Sequence, residues 1–237
     1  MHDTYGVFMH IQFLIRALVA ITVFASAPPA YGGDIAPRIL MMGDSLFAFQ
    51  SANDAGIANT LRTALGSEVT DRSVSGARMI YKLPISGALG MNISKQFREG
   101  DWDWIVLSGG GNDLWLGCGC HKCERRMNRL ISQRGDRGEI PKLIARLQET
   151  GAKIVYVGYL RSPGVNSPIE SCKDEGEVLE ARISQLAALN DNLYFLPLDT
   201  LVPYGDRSFH ALDMIHTSRK GSAVIGGRIV DVITENQ

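Results

Sequence analysis

The chain has 237 residues, 24 Lys and Arg against 25 Asp and Glu, and a net charge of −1, with 45% hydrophobic and 21% charged residues. That composition excludes an intrinsically disordered chain, and the length suits one large domain or two small ones with a core that needs no staples. A nucleic-acid binder carries excess positive charge to displace counterions from phosphates; no basic stripe is visible here, so nucleic acid is set aside as a partner.

Residues 1–30 are expected to be a signal peptide. The largely apolar run Ala17–Ala25 follows Arg16 and is far shorter than the ~20 residues that span a bilayer. Ala25 and Ala27 form a small-residue cleavage pair, with cleavage near Ala27 or Ala30. The first eight residues carry no positive charge, which makes Met9 an alternative start; an uncleaved anchor is the competing reading. Export to the periplasm or the extracellular space follows, with no stable membrane span after processing.

The next segments alternate two periodicities. Arg38–Met42, Trp104–Leu107 and Lys153–Leu160 are short, largely apolar runs that read as strands, and Val69–Val74 and Leu193–Leu198 read as two more. Between and after them, Ala52–Leu65, Glu124–Ser132, Glu139–Thr150, Glu175–Leu189 and Ser218–Ile233 read as helices. Nearly continuous apolar strands separated by amphipathic helices predict a parallel sheet of about five strands covered on both faces: one α/β domain over residues 36–237.

Cys118, Cys120, Cys123 and Cys172 all follow the leader, and an even count in an exported chain points to disulfides. Three pairings are open, with Cys118–Cys120 disfavoured by ring strain. The competing reading is a zinc site using these cysteines and His121, although only Cys120–Cys123 has the CxxC spacing of structural zinc.

In open parallel sheets ligands bind at the carboxyl ends of the strands. There the sequence places Gly43-Asp44-Ser45-Leu46, Ser75-Gly76-Ala77 and Gly109-Gly110-Gly111-Asn112-Asp113. None is a P-loop or a dinucleotide fingerprint, so no cofactor and no metal are expected. Before the last helix lies Asp213-Met214-Ile215-His216, where the Asp can fold back onto Nδ1 of the His and leave Nε2 as a base. Ser45, on a tight strand-to-helix turn, is the matching nucleophile.

These four blocks, in this order over Arg38–Ile233, resemble the SGNH (GDSL) hydrolases. The resemblance implies a flavodoxin-like three-layer α/β/α fold and hydrolysis of carboxylic esters, thioesters or glycan O-acetyl groups, with a small-molecule or glycan ester as partner. It also implies Ser45 as nucleophile, His216 as general base and Asp213 as its orienting partner. The oxyanion donors would be the backbone N–H groups of Ser45 and Gly76 and the side-chain amide of Asn112.

Two departures stand out: Thr217-Ser218 replaces the proline common after this histidine, and a cysteine loop, Cys118–Cys123, directly follows the third block. Either Thr217 or Ser218 can cap the last helix instead. Asp44 and Asp113 are expected to be structural, as is His210, a rival base with no Asp three residues ahead. Trp102, Trp104 and Trp115 are expected in the core or a pocket wall, and His121 outside the chemistry. Two other functions fit the same residues, an envelope glycan O-acyltransferase and a catalytically silent glycan- or lipid-binding module.

Overall fold

The computed structural model describes residues 36–165 and 167–237; the predicted leader lies outside them. Five strands, β1 (Ile39–Met42), β2 (Val69–Asp71), β3 (Trp104–Leu107), β4 (Lys153–Val157) and β5 (Leu193–Leu196), form one parallel sheet in the order β2-β1-β3-β4-β5. Ile39 is paired with Val69 on one side and Trp104 on the other, so β1 and β3 are central and the order reverses beside β1. The helices are α1 (Ser45–Ala48), α2 (Ile57–Leu65), the single turn α3 (Pro84–Ser86), α4 (Gly111–Cys118), α5 (Glu124–Leu130), α6 (Glu139–Gln148), α7 (Lys173–Ala188) and α8 (Arg219–Glu235).

Alternation of side chains along each strand creates two cores. Leu40, Met42, Ile105, Leu107, Ile154 and Tyr156 face one side, where Leu114, Met127, Ile140, Ile144, Leu179 and Ile183 from α4 to α7 cover them. Ile39, Met41, Val106, Val155 and Val157 face the other, packed against Phe47, Ile57, Leu61, Ile225 and Ile229 from α1, α2 and α8. The inner strands β1, β3 and β4 are therefore almost wholly apolar because both faces are buried, whereas the edge strand β2 ends in Thr70-Asp71. The result is the three-layer α/β/α sandwich. Close packing of α8 on α2 explains one of the paired glycines, since a Cβ on Gly226 would lie 2.6 Å from Cβ of Thr60.

Several predicted boundaries move, each for a local reason. The helix expected over Ala52–Leu65 begins only at Ile57, because Asp54 takes a left-handed conformation (φ 50°) after a short 3-10 turn. Strand β2 stops at Asp71 rather than Val74: the Asp71 carboxylate accepts the N–H and hydroxyl of Ser73 and turns the chain. Val74 N–H then bonds to the Gly43 carbonyl instead of the ladder. Helix α4, which begins within the triple glycine, is absent from the sequence reading because glycine carries little helical propensity. At the start of α8, Ser218 is the cap, its hydroxyl accepting the Gly221 N–H at 3.1 Å. Among the described residues no helix is long and apolar enough to cross a membrane.

Candidate active site

The loops leaving β1, β2, β3 and β4 converge at the carboxyl edge of the sheet and are tied together by buried polar groups. Ser45 is the first residue of α1, and the preceding Asp44 caps that helix by accepting the Leu46 N–H at 3.0 Å. The other Asp44 oxygen accepts the Tyr159 hydroxyl at 2.7 Å, and the same phenol oxygen accepts the Gly111 N–H at 2.9 Å. Tyr159 therefore bolts the Ser45 turn to the start of α4. Gly111 must lack a side chain, since a Cβ there would fall 2.7 Å from the Tyr159 ring.

Burial pushes the Asp44 carboxyl above its ordinary value, against the pull of the Leu46 N–H, the Tyr159 hydroxyl and the nearby His216. The Tyr159 phenol is driven well up, chiefly by burial and then by the Asp44 charge, so it remains a proton donor. Its backbone is held in turn by Glu180, which accepts the Tyr159 N–H at 2.8 Å and pairs with Arg161 at 2.6 Å.

Two further groups fix the remaining loops. The buried Gln96 amide bonds both the N–H and the carbonyl of Gly43, at 2.7 and 2.8 Å, and reaches the Gly90 carbonyl. The Asp113 carboxylate accepts the N–H groups of Met79 and Ile80 at 2.8 and 2.9 Å, and burial raises its pKa. Asp44 and Asp113 thus act as acceptors for loop amides.

On the opposite rim, Asp213 folds back onto its own turn. One carboxylate oxygen accepts the N–H groups of Ile215 and His216, both at 3.0 Å; the other lies 2.6 Å from Nδ1 of His216. Partial burial is the largest single influence on the Asp213 carboxyl and pulls its pKa up, but the His216 ring and the two N–H groups together bring it below the ordinary value. The imidazole is clamped from its face by Phe49, stacked at 4.2 Å between centroids and 4° between planes. With Nδ1 engaged, the free nitrogen is Nε2.

Ser45, Asn112 and His216 line one cavity of about 490 Å³, with Trp115, Leu160, Ile169, Leu179 and Val202 supplying apolar wall. Among the described residues no hydrogen bond yet joins the Ser45 hydroxyl to His216, as is common in unliganded sites. The expected oxyanion donors have capacity to spare. Neither the Ser45 nor the Gly76 N–H has an acceptor among the described residues, and the Asn112 amide uses one hydrogen on the Ala77 carbonyl at 3.1 Å. Gly76 holds a φ of 79°, in the region that favours glycine, but lies outside the cavity wall itself, linked to Asn112 through its neighbour Ala77.

The other candidates fall elsewhere. His210 is buried beneath the last loop, with a pKa lowered by burial, and His121 is exposed outside the cavity. Trp104 is in the core and Trp102 bonds the Arg98 carbonyl. The four cysteines form Cys118–Cys123 and Cys120–Cys172, which decides between the pairings and removes their sulfurs from any zinc site. The second bond joins the end of α4 to the start of α7 at the cavity wall, so the cysteine loop staples the helix that carries Asn112 and Trp115. Tyr159, Gln96 and Phe49 were not singled out from the sequence; only the place of Tyr159, at the carboxyl end of a predicted strand, could have flagged it.

Comparison with known proteins agrees with this architecture. A family model for GDSL-like lipase/acylhydrolases matches residues 41–224. A family 3 carbohydrate esterase from Clostridium thermocellum shares 17% identity, with a TM-score of 0.56 over 84% of this chain and 98% of that one. An acetyl xylan esterase is similar at 14% identity and a TM-score of 0.57 over 83% and 99%. A lipase from a goat rumen metagenome gives 15% and 0.55 over 82% and 96%. At such identities these likenesses speak for the fold. Among curated proteins, none matches the sequence at a significant level. The match over most of the chain means that this protein belongs to the GDSL-like lipase/acylhydrolase family and is a hydrolase acting on ester bonds.

Proposed function

We propose that the protein is an exported serine esterase that works through an acyl-enzyme on Ser45. The observation that carries this reading is the Asp213–His216 pair at 2.6 Å, with His216 lining the same cavity as Ser45 and Asn112. Asp213 holds the imidazole in the tautomer that leaves Nε2 basic, and His216 takes the Ser45 proton as the hydroxyl attacks the ester carbonyl. The tetrahedral oxyanion is met by the Ser45 and Gly76 N–H groups and the spare Asn112 hydrogen. His216 then protonates the departing alcohol or thiol, and water repeats the sequence to release the acid. Residues 1–30 serve as the leader, and two disulfides fit an oxidising compartment outside the cytoplasm.

The substrate is a carboxylic ester, a thioester or a glycan O-acetyl group. The carbohydrate esterase and acetyl xylan esterase among the similar structures favour the last, and the apolar wall accommodates a short acyl chain or the face of a sugar. Labelling with a fluorophosphonate, followed by peptide mapping, tests the nucleophile. Label on Ser45 in the wild type and none in Ser45→Ala is expected; equal labelling or equal ester turnover in Ser45→Ala overturns the assignment.

A further inference from the structure

A second groove, of about 480 Å³, lies at the C-terminal end of α4 and shares no wall residue with the cavity around Ser45. Its walls carry Arg78, Lys82, Lys122, Arg125, Arg126 and Arg129, and no Asp or Glu. None of these six cations forms an ion pair among the described residues. Asp113 faces Arg126 and Arg78 from within, but both its oxygens already accept loop amides. The Arg78 guanidinium lies over the Tyr81 ring at 5.2 Å, with its Nε buried and without a hydrogen-bond partner. Such a concentration of like charge at the surface raises the local concentration of anions.

The groove is well placed to read a ligand already held at Ser45. Arg78 stands two residues beyond Gly76. Gly117 and Cys118 of its wall end the helix whose first turn carries Asn112, and five residues of helix span about 7.5 Å. A ligand occupying both places must be an extended chain with several negative groups. The apolar surfaces of Ile80, Tyr81 and Leu83 share the groove with the cations, and Leu83 is 63% exposed. A bare phosphate chain makes no use of them, whereas a sugar ring offers C–H faces to apolar surface and carboxylates to guanidinium forks.

We propose that this groove binds a carboxylate-bearing stretch of an acidic glycan, and that the ester hydrolysed at Ser45 is carried on that glycan. The second part rests on the esterase reading above; the first does not. Binding is therefore measured with ester-free oligogalacturonate on the full-length protein, by calorimetry at low and at physiological salt. Oligogalacturonate should bind, a neutral xylo-oligosaccharide of equal length should not, and salt should weaken the complex. The Arg125→Ala/Arg129→Ala variant should bind at least about tenfold more weakly, as expected when charge-assisted hydrogen bonds are lost. Both side chains are exposed, and an unchanged melting temperature verifies the fold. Removing the same charge from α8, with Arg219→Ala/Arg228→Ala, should change affinity by less than about twofold, a limit set by the screening of distant charges.

Equal losses in the two variants, or equal affinity for the neutral oligomer, overturn the groove as a site. Tighter binding of polyphosphate or of phosphatidylglycerol vesicles than of oligogalacturonate overturns the glycan assignment. Binding of oligogalacturonate without a higher kcat/KM for its acetylated form than for acetylated xylo-oligosaccharide overturns the substrate claim alone. Failure of Ser45 labelling, by contrast, leaves the binding result standing.

Discussion

Tyr159→Phe isolates one oxygen that fastens the Ser45 turn to the start of α4. The phenol donates to Asp44 at 2.7 Å and accepts from Gly111 at 2.9 Å. The first bond, to a carboxylate, is worth about 1.5–3 kcal/mol, and leaving the Gly111 N–H without a partner costs about 1–3 kcal/mol more. Neighbouring terms are not additive, so about 3 kcal/mol is expected, a fall in Tm of roughly 6–12 °C for a domain of this size. Urea titration followed by tryptophan fluorescence measures it, with Tyr204→Phe, 85% exposed, as the neutral comparison. The pH dependence adds a sign. In the wild type, burial raises the Asp44 pKa and the Tyr159 hydroxyl opposes that rise. Without the hydroxyl, the folded-state pKa rises further, so the folded variant binds its proton more readily. The penalty must then be greatest at neutral pH and shrink on acidification through the raised Asp44 pKa. A loss below about 0.5 kcal/mol, typical of an uninvolved surface site, or a penalty independent of pH, refutes the reasoning.

Other substitutions probe separate parts of the site. Asn112→Ala should lower kcat by about 10²–10³ with little change in KM, the expected loss for one oxyanion donor, measured by steady-state hydrolysis of a soluble ester. Replacing Cys120 and Cys172 together by Ala opens a loop with a sequence separation of 52, which should destabilise the fold by about 4 kcal/mol in the loop-entropy estimate, read from urea midpoints under oxidising conditions. Asp213 has a folded pKa below its ordinary 3.8, so its contribution to stability is present above that value and lost as pH falls through the folded pKa. Asp213→Asn should therefore be less stable than wild type at neutral pH and converge with it in strong acid. A constant difference across that range, in urea titrations, would falsify the assigned sign.

The strands, β1, β3 and β4 above all, were legible because burial on both faces writes a nearly continuous apolar run, a pattern local enough to read without neighbours. Their ends were not, because they are set by side chains bonding to backbone, as when Asp71 captures Ser73. The same contrast governs the site. Asp213 and His216 stand three residues apart in one turn, so their pairing can be argued from spacing. Tyr159 meets Asp44 across 115 residues, and no local pattern connects them. The disulfide pairing was closed to sequence for the same reason: Cys172, beside the start of α7, meets Cys120 across 52 residues.

Charge was the feature most changed by folding. A near-neutral chain gave no sign of a basic surface, because its cations are split between residues 78–82 and residues 122–129. Asp113 brings them together. By accepting the Met79 and Ile80 N–H groups, this buried carboxylate draws the loop after β2 onto α4, with Arg78 and Lys82 beside the basic turn that begins α5. The Asn112 bond to Ala77 uses the same contact from the catalytic side. Position of the candidate oxyanion loop and assembly of the basic groove are thus one structural event. A carboxylate outside the Asp213–His216 pair positions both the candidate oxyanion loop and the cations proposed to hold a glycan beside it.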